Sequence, residues 1–190
     1  NQVGALAGSA RTSAVAAAAI GSLANESKAY GAYTFLAGVS FIQTALKQHK
    51  DGSSAEDIVH GAISRRGGKP TIMGYFRPLA KGDERIEVLE RVSQKLGFED
   101  GEHLTLAYEI EEVLMARYDE GMNLNGYVSA FLSDHGFSEH DVYRTFALCV
   151  SSGVLACYLD TQRRSPGDFL PLRCEDIDYQ GKSKRCVPDN

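Results

Sequence analysis

Apolar residues recur at helical spacing along almost the whole chain, and no stretch alternates in the two-residue rhythm of a strand, so the sequence predicts an all-α protein. Between Tyr30 and Gln48 the set Tyr33, Phe35, Leu36, Val39, Phe41, Ile42, Ala45 and Leu46 wraps most of a helix circumference, which predicts a central helix. An Ala-rich helix from about Thr12 to Leu23 can pack closely on a neighbour. Ser53-x-x-Glu56 has the form of a capping box, opening a short helix with Ile58, Val59 and Ile63 inward. "RRGGKP" then ends it. Asp83 and Glu84 suit a helix N-terminus, and Ile86, Leu89, Val92 and Leu96 mark one apolar face running to Gly97. Further helices are predicted from Glu102 to Tyr118, over Tyr127 to Leu132 after the turn-forming "DEGMNLNG", and from the Ser138-x-x-Asp141 box to near Arg163. The last 26 residues hold three of the five prolines and read as an extended tail.

A chain of 190 residues with 43% hydrophobic content can bury a full core. Its net charge of −5 argues against nucleic acid as a partner, because phosphate affinity comes from clustered Lys and Arg. Cys149, Cys157, Cys174 and Cys186 show no CxxC spacing and read as reduced thiols of a cytoplasmic protein. Cys149 and Cys157, eight apart on an apolar helix, are expected to pack in the core. No membrane segment is expected: "AVAAAAIGSLA" lacks a basic start, and "ALCVSSGVLACYL" is shorter than the roughly 20 apolar residues a span needs. His135 and His140 flank a Gly-Phe turn without a third ligand, so no metal site is expected. The Tyr30, Tyr33 and Phe35 stripe is expected in the core.

The segment that carries chemistry is "GYFRPLAKGDER", residues 74–85, with two guanidinium groups around a rigid turn and no histidine. A guanidinium presents parallel donors that match a carboxylate, although a loop arginine serves equally as half of a surface ion pair. The basic sets Arg65, Arg66, Lys69 and Lys182, Lys184, Arg185 allow phosphate contacts or a solvated surface alike.

Four stretches in order resemble the citrate synthase superfamily, most closely citryl-CoA lyase and the C-terminal module of ATP-citrate lyase. "SAVAAAAIGSL" (13–23) is similar to the family's "AVAAGIGAL" helix, and "GYFRPLAKGDER" to its "GxGHxVYKxxDPR" loop. "MNLNGYVSAFL" (122–132) resembles "NVDxxxxxxL", and "GVLACYLDTQRR" with the following "LPLR" resembles the closing "GxxAHxLExxR...RP" pattern. The resemblance implies a citrate synthase-like helical fold, with a small domain at 30–140 inserted between large-domain parts at 1–29 and 141–190. It implies a cytoplasmic homodimer that handles an acyl-CoA and a di- or tricarboxylate. Coenzyme A esters would be substrates, with no tightly bound cofactor and no metal. It also implies carbon-carbon bond formation or cleavage next to the thioester, which needs a carboxylate base and imidazoles that stabilise oxyanions.

This sequence departs from the family at all three of those positions. Asn125 stands for the Asp of "NVD", Arg77 for the His of "GxGH", and Lys28 or a neighbour for the His of "LHGGA". The five histidines, His49, His60, His103, His135 and His140, fall outside these motifs. An amide cannot act as a base, and arginine stays protonated. Lys28 could titrate usefully only with burial or a neighbouring cation. Asp119 and Glu120 are substitute acids or plain surface, and Asn125 before Gly126 also fits a turn that needs positive φ. Recognition is better kept: Arg85 matches the family's carboxylate-gripping arginine and Arg173 the one that reaches a partner subunit's site. Val150 replaces a third arginine. Two readings follow: an enzyme of this type, or a catalytically degenerate homologue that serves as a ligand-binding or regulatory subunit beside an active paralogue.

Overall fold

The computed structural model describes residues 1–28, 30–63, 68, 70–77, 82–169, 174–176, 178 and 180–182. The described residues form eight α-helices and no strand, as the spacing predicts: α1 Gln2–Ser9, α2 Ala14–Asn25, α3 Thr34–Lys50, α4 Ala55–Gly61, α5 Glu84–Lys95, α6 Glu102–Tyr118, α7 Leu124–Asp134 and α8 Glu139–Gln162. They divide into one compact unit of Asn1–Ile20 with Ser152–Asn190 and another of Gly21–Ser151, the divisions falling inside α2 and α8.

The unit of Gly21–Ser151 is organised by α3, whose Val39, Ile42, Ala45 and Leu46 are buried as expected of a central helix. Leu104, Leu106, Ala107, Ile110 and Leu114 of α6 meet them, with Ile58 and Val59 of α4 and Tyr127, Val128 and Ala130 of α7. Phe35 stacks on Phe146, ring centroids 4.1 Å apart. α4 opens on a capping box one residue beyond the predicted one. Ser54 and Asp57 carry it rather than Ser53 and Glu56, each side chain satisfying the other's backbone N–H. The box at Ser138 and Asp141 forms as predicted.

Several expectations fail. The predicted face of α5 is not a buried one: Val92 and Leu96 are exposed, and only Ile86 and Leu89 reach the core's edge. Of the aromatic stripe only Phe35 is buried; Tyr30 and Tyr33 are exposed, Tyr33 lying edge-on to Tyr143. Cys149 is exposed rather than packed in the core, because α8 turns that face outward. Taken over its 24 residues, α8 is long and apolar enough to cross a membrane by length and composition alone.

In the other unit, α1 has no counterpart in the sequence reading. Its glycines look unfavourable for a helix, yet they permit a close approach. A Cβ on Gly4 would sit 2.2 Å from Val154 O, and one on Gly8 would sit 2.2 Å from Thr161 Oγ1. Small residues four apart put both contacts on one face of α1. Thr161 Oγ1 donates to Ala5 O at 2.9 Å, Tyr158 Oη donates to Thr12 O at 2.7 Å, and Arg11 donates to the carbonyls of Gln162 and Arg164 at the end of α8. A cation there suits the negative end of the helix dipole.

Ile110 has no exposed surface, whereas Leu148 is 76% exposed. Ile110→Ala is therefore expected to destabilise by about 2–5 kcal/mol and Leu148→Ala by less than about 0.5 kcal/mol, measured by chemical denaturation.

Candidate functional site

The described parts of the 74–85 loop are tied to the start of α7. Gly74 has φ 105°, and a Cβ there would lie 2.7 Å from Gly126 Cα, so the approach requires glycine. Gly74 O accepts from Asn123 N at 2.8 Å, and Asn123 Nδ2 donates to Phe76 O at 2.6 Å. The other end of the Asn123 amide caps α7, its Oδ1 accepting from Asn125 N at 2.9 Å and from Gly126 N at 3.4 Å. Tyr75 is buried and donates to Ala107 O at 3.0 Å. Burial, and secondarily Glu111, push its hydroxyl above the ordinary tyrosine range, so it stays a proton donor.

Asp83 is the hub of this arrangement. Its side chain has no exposed surface. Oδ1 accepts from Arg85 Nε at 2.7 Å and from Arg85 N at 3.2 Å, while Oδ2 accepts from Arg85 Nη2 at 2.6 Å and from Leu124 N at 2.9 Å. One carboxylate therefore serves the N-termini of both α5 and α7. Burial acts to raise its pKa, but the bonds from Arg85 and from the two amides outweigh that and hold it at about 2, below the usual 3.8. Arg77 approaches the same carboxylate, Nη1 standing 3.7 Å from Oδ1, and pairs through both Nη1 and Nη2 with Glu84. The structure thus brings the two predicted arginines together, with two carboxylates that balance their charge. Arg85 remains 52% exposed at its side chain, so the outer edge of its fork can meet a solute.

Asn125 lies inside α7, not at a positive-φ turn; the left-handed residue nearby is Asp119, φ 58°, at the end of α6. The turn expectation fails because Asn123 and Asp83 cap α7 three residues earlier than predicted. The Asn125 amide is part of the α3–α7 packing: Nδ2 donates to Thr34 Oγ1 at 2.9 Å, and Oδ1 accepts from Ser129 Oγ at 3.0 Å. A Cβ on Gly38 would sit 2.1 Å from that oxygen. Thr34 Oγ1 in turn donates to Gly31 O at 2.8 Å.

Lys28 is exposed on the connection between α2 and α3. Among the described residues, no hydrogen bond or ion pair joins it to Arg77, Arg85 or Asn125. Arg173, Arg65, Arg66, Lys184, Arg185 and Cys186 lie outside the described residues. Of the histidines, His103 makes the most integrated contact. Its Nδ1 lies 2.8 Å from Asp134 Oδ1, but that carboxylate also accepts from the amides of His103 and Leu104 and caps α6. Among the described residues no group of His, Cys, Asp and Glu could hold a metal ion. A separate open hollow of about 370 Å³ lies beside the end of α3 and the start of α6, lined in part by His49, Lys50, Asp100 and Glu102. None of the sequence-predicted site residues lines it.

Sequence reasoning missed Asp83 as a hub, Asn123 and Tyr75 as anchors of the loop, and Thr34 as the partner of Asn125. An Asx residue just before an apolar helical run was the available signal for Asn123. The long-range partners of Asp83 and Thr34 leave no local mark.

These helices have the citrate synthase-like fold. Citryl-CoA lyase from Hydrogenobacter thermophilus is similar with a TM-score of 0.77 and 24% identity, the match covering 98% of this chain and 71% of that one. ATP citrate lyase from Methanothrix soehngenii, solved in complex with citrate and coenzyme A, is similar with a TM-score of 0.69 and 20% identity, covering 97% of this chain and 32% of that one. No family model and no curated protein matches the sequence.

An Asp83 pKa lowered from 3.8 to about 2 adds stability that is fully present above pH 4 and is lost as pH falls toward 2. The shift corresponds to roughly 2 kcal/mol. Asp83→Asn is expected to destabilise at pH 7 by at least that order, with the gap to the parent narrowing between about pH 4 and pH 2. Thermal unfolding across that range checks it.

Proposed function

We propose that this is a citryl-CoA lyase-like protein whose ligands are an acyl-CoA thioester and a di- or tricarboxylate, the reactants of carbon-carbon bond formation or cleavage. The fold shared with a citryl-CoA lyase supports the class. The half-exposed Arg85, braced at the start of α7 beside Arg77, supports carboxylate recognition there. A ligand carboxylate would dock on the outer edge of the Arg85 fork while Asp83 holds the inner edge in position. By the resemblance, the protein works as a cytoplasmic homodimer in which Arg173 reaches the neighbouring subunit's ligand.

Of the two forms this reading takes, the side chains favour the ligand-binding or regulatory homologue. The observation that carries this is Asn125. By the resemblance this is the position of the base, and the group there is an amide whose two ends are committed to Thr34 and Ser129. Arg77 cannot accept a proton, and Lys28 is exposed. Asp83 is buried and held ionised by its donors, which makes it a weak base. An active paralogue would then supply the chemistry.

The test combines binding and turnover. A thermal-shift series with acetyl-CoA, citrate and oxaloacetate is expected to raise the unfolding temperature. Incubation with citryl-CoA, or with acetyl-CoA and oxaloacetate, is expected to release neither acetyl-CoA nor free thiol. Turnover would contradict the degenerate form, and no shift with any ligand would contradict the whole reading. Arg85→Ala is expected to weaken carboxylate binding about tenfold or more, as loss of a charged hydrogen bond predicts.

A further inference from the structure

α5 presents an apolar stripe away from the core. Its core side is used: Ile86 and Leu89 pack at the edge of the apolar cluster, Tyr108 donates to Glu90, and Ser93 lies 3.4 Å from Tyr127 Oη. A second row, Val88, Val92 and Leu96, stands four residues apart on another side, with 46%, 46% and 68% of each residue exposed. None of the 12 residues of this helix is fully buried.

The charges beside that stripe are ordered. Glu84, Glu87, Arg91 and Lys95 follow at spacings of three, four and four, so they form a single row along the flank of the valines. The row is acidic in its first half and basic in its second. Among the described residues, Glu87, Arg91 and Lys95 have no ion-pair partner, while Glu84 pairs with Arg77. Such a row is its own complement when reversed. Laid antiparallel on a second α5, Glu87 faces Arg91, Glu84 faces Lys95, and Val88 faces Val92, each contact occurring twice about a two-fold axis near the middle of the helix.

We propose that α5 is a self-association surface, and that a second copy of this chain docks on it antiparallel through Val88, Val92 and Leu96 with reciprocal Glu87–Arg91 pairs. The stripe is short, so the contact is smaller than the roughly 1,200–2,000 Å² of standard stable interfaces and forms a weak, concentration-dependent step. Its charges set register and orientation more than strength. Glu84 at one end of the row is shared with the site loop through its pair with Arg77, whereas Val88, Val92 and Leu96 lie beyond it, and the proposal does not rest on the functional reading.

The experiment is sedimentation velocity on the whole chain at rising concentration and low salt, with far-UV circular dichroism to verify folding. The parent is expected to show a concentration-dependent association step. Val92→Glu is expected to remove it with helix content unchanged, since the position is already half in water. Arg91→Glu and Glu87→Arg, each alone, set like charges against each other and are expected to weaken the step at least fivefold. Mixed one to one, they are expected to associate more tightly than either does alone, because two glutamates at positions 87 and 91 of one chain then face two arginines of the other. The proposal is overturned if the parent shows no such step, if Val92→Glu retains it, or if the mixture associates no better than its components.

Discussion

The buried carboxylate of Asp83 is the interaction on which the rest of the site depends. It accepts from one backbone N–H at the start of α5 and one at the start of α7, and it holds the Arg85 guanidinium by two parallel bonds. Remove the carboxylate and four donors lose their acceptor at once, while two helix starts lose a negative partner. Burial of an ionised group is costly by itself. Here the donors surrounding it repay that cost, and the depressed pKa is their signature.

Two consequences follow for function. Arg85 is held rigid on one edge and open on the other, which suits recognition of an anion because little side-chain freedom remains to be lost on binding. Arg77, by contrast, is already engaged with Glu84 and close to Asp83, so it braces the loop. The Asn125 amide belongs to helix packing, where Thr34, Ser129 and Gly38 enclose it. In the proposed reading Arg85 serves anion recognition, and the Asn125 amide offers no proton acceptor.

Local signals carried most of the fold. The central position of α3 was readable from the apolar residues around its circumference, and the Ser138–Asp141 box from a three-residue spacing. What failed needed knowledge of neighbours. α1 was invisible because Gly4 and Gly8 argue against a helix until Val154 and Thr161 are seen pressed against them. α7 starts early because Asp83, far away in sequence, caps it together with Asn123. Val92 and Leu96 were mistaken for part of a core face because they lie next to Ile86 and Leu89, and periodicity does not say which neighbouring stripe is covered. In the site, Arg77, Arg85 and Asn125 were named from the resemblance, while the carboxylate that organises them was read only as a helix-start acid.

The most direct test is an NMR titration of the Asp83 carboxyl carbon in the folded protein between about pH 5 and pH 2. The account predicts a midpoint near 2, at the lower end of that range. A midpoint at or above the ordinary 3.8 would mean that Asp83 lacks its donors, and the bracing of Arg85 and of α7 described here would be wrong.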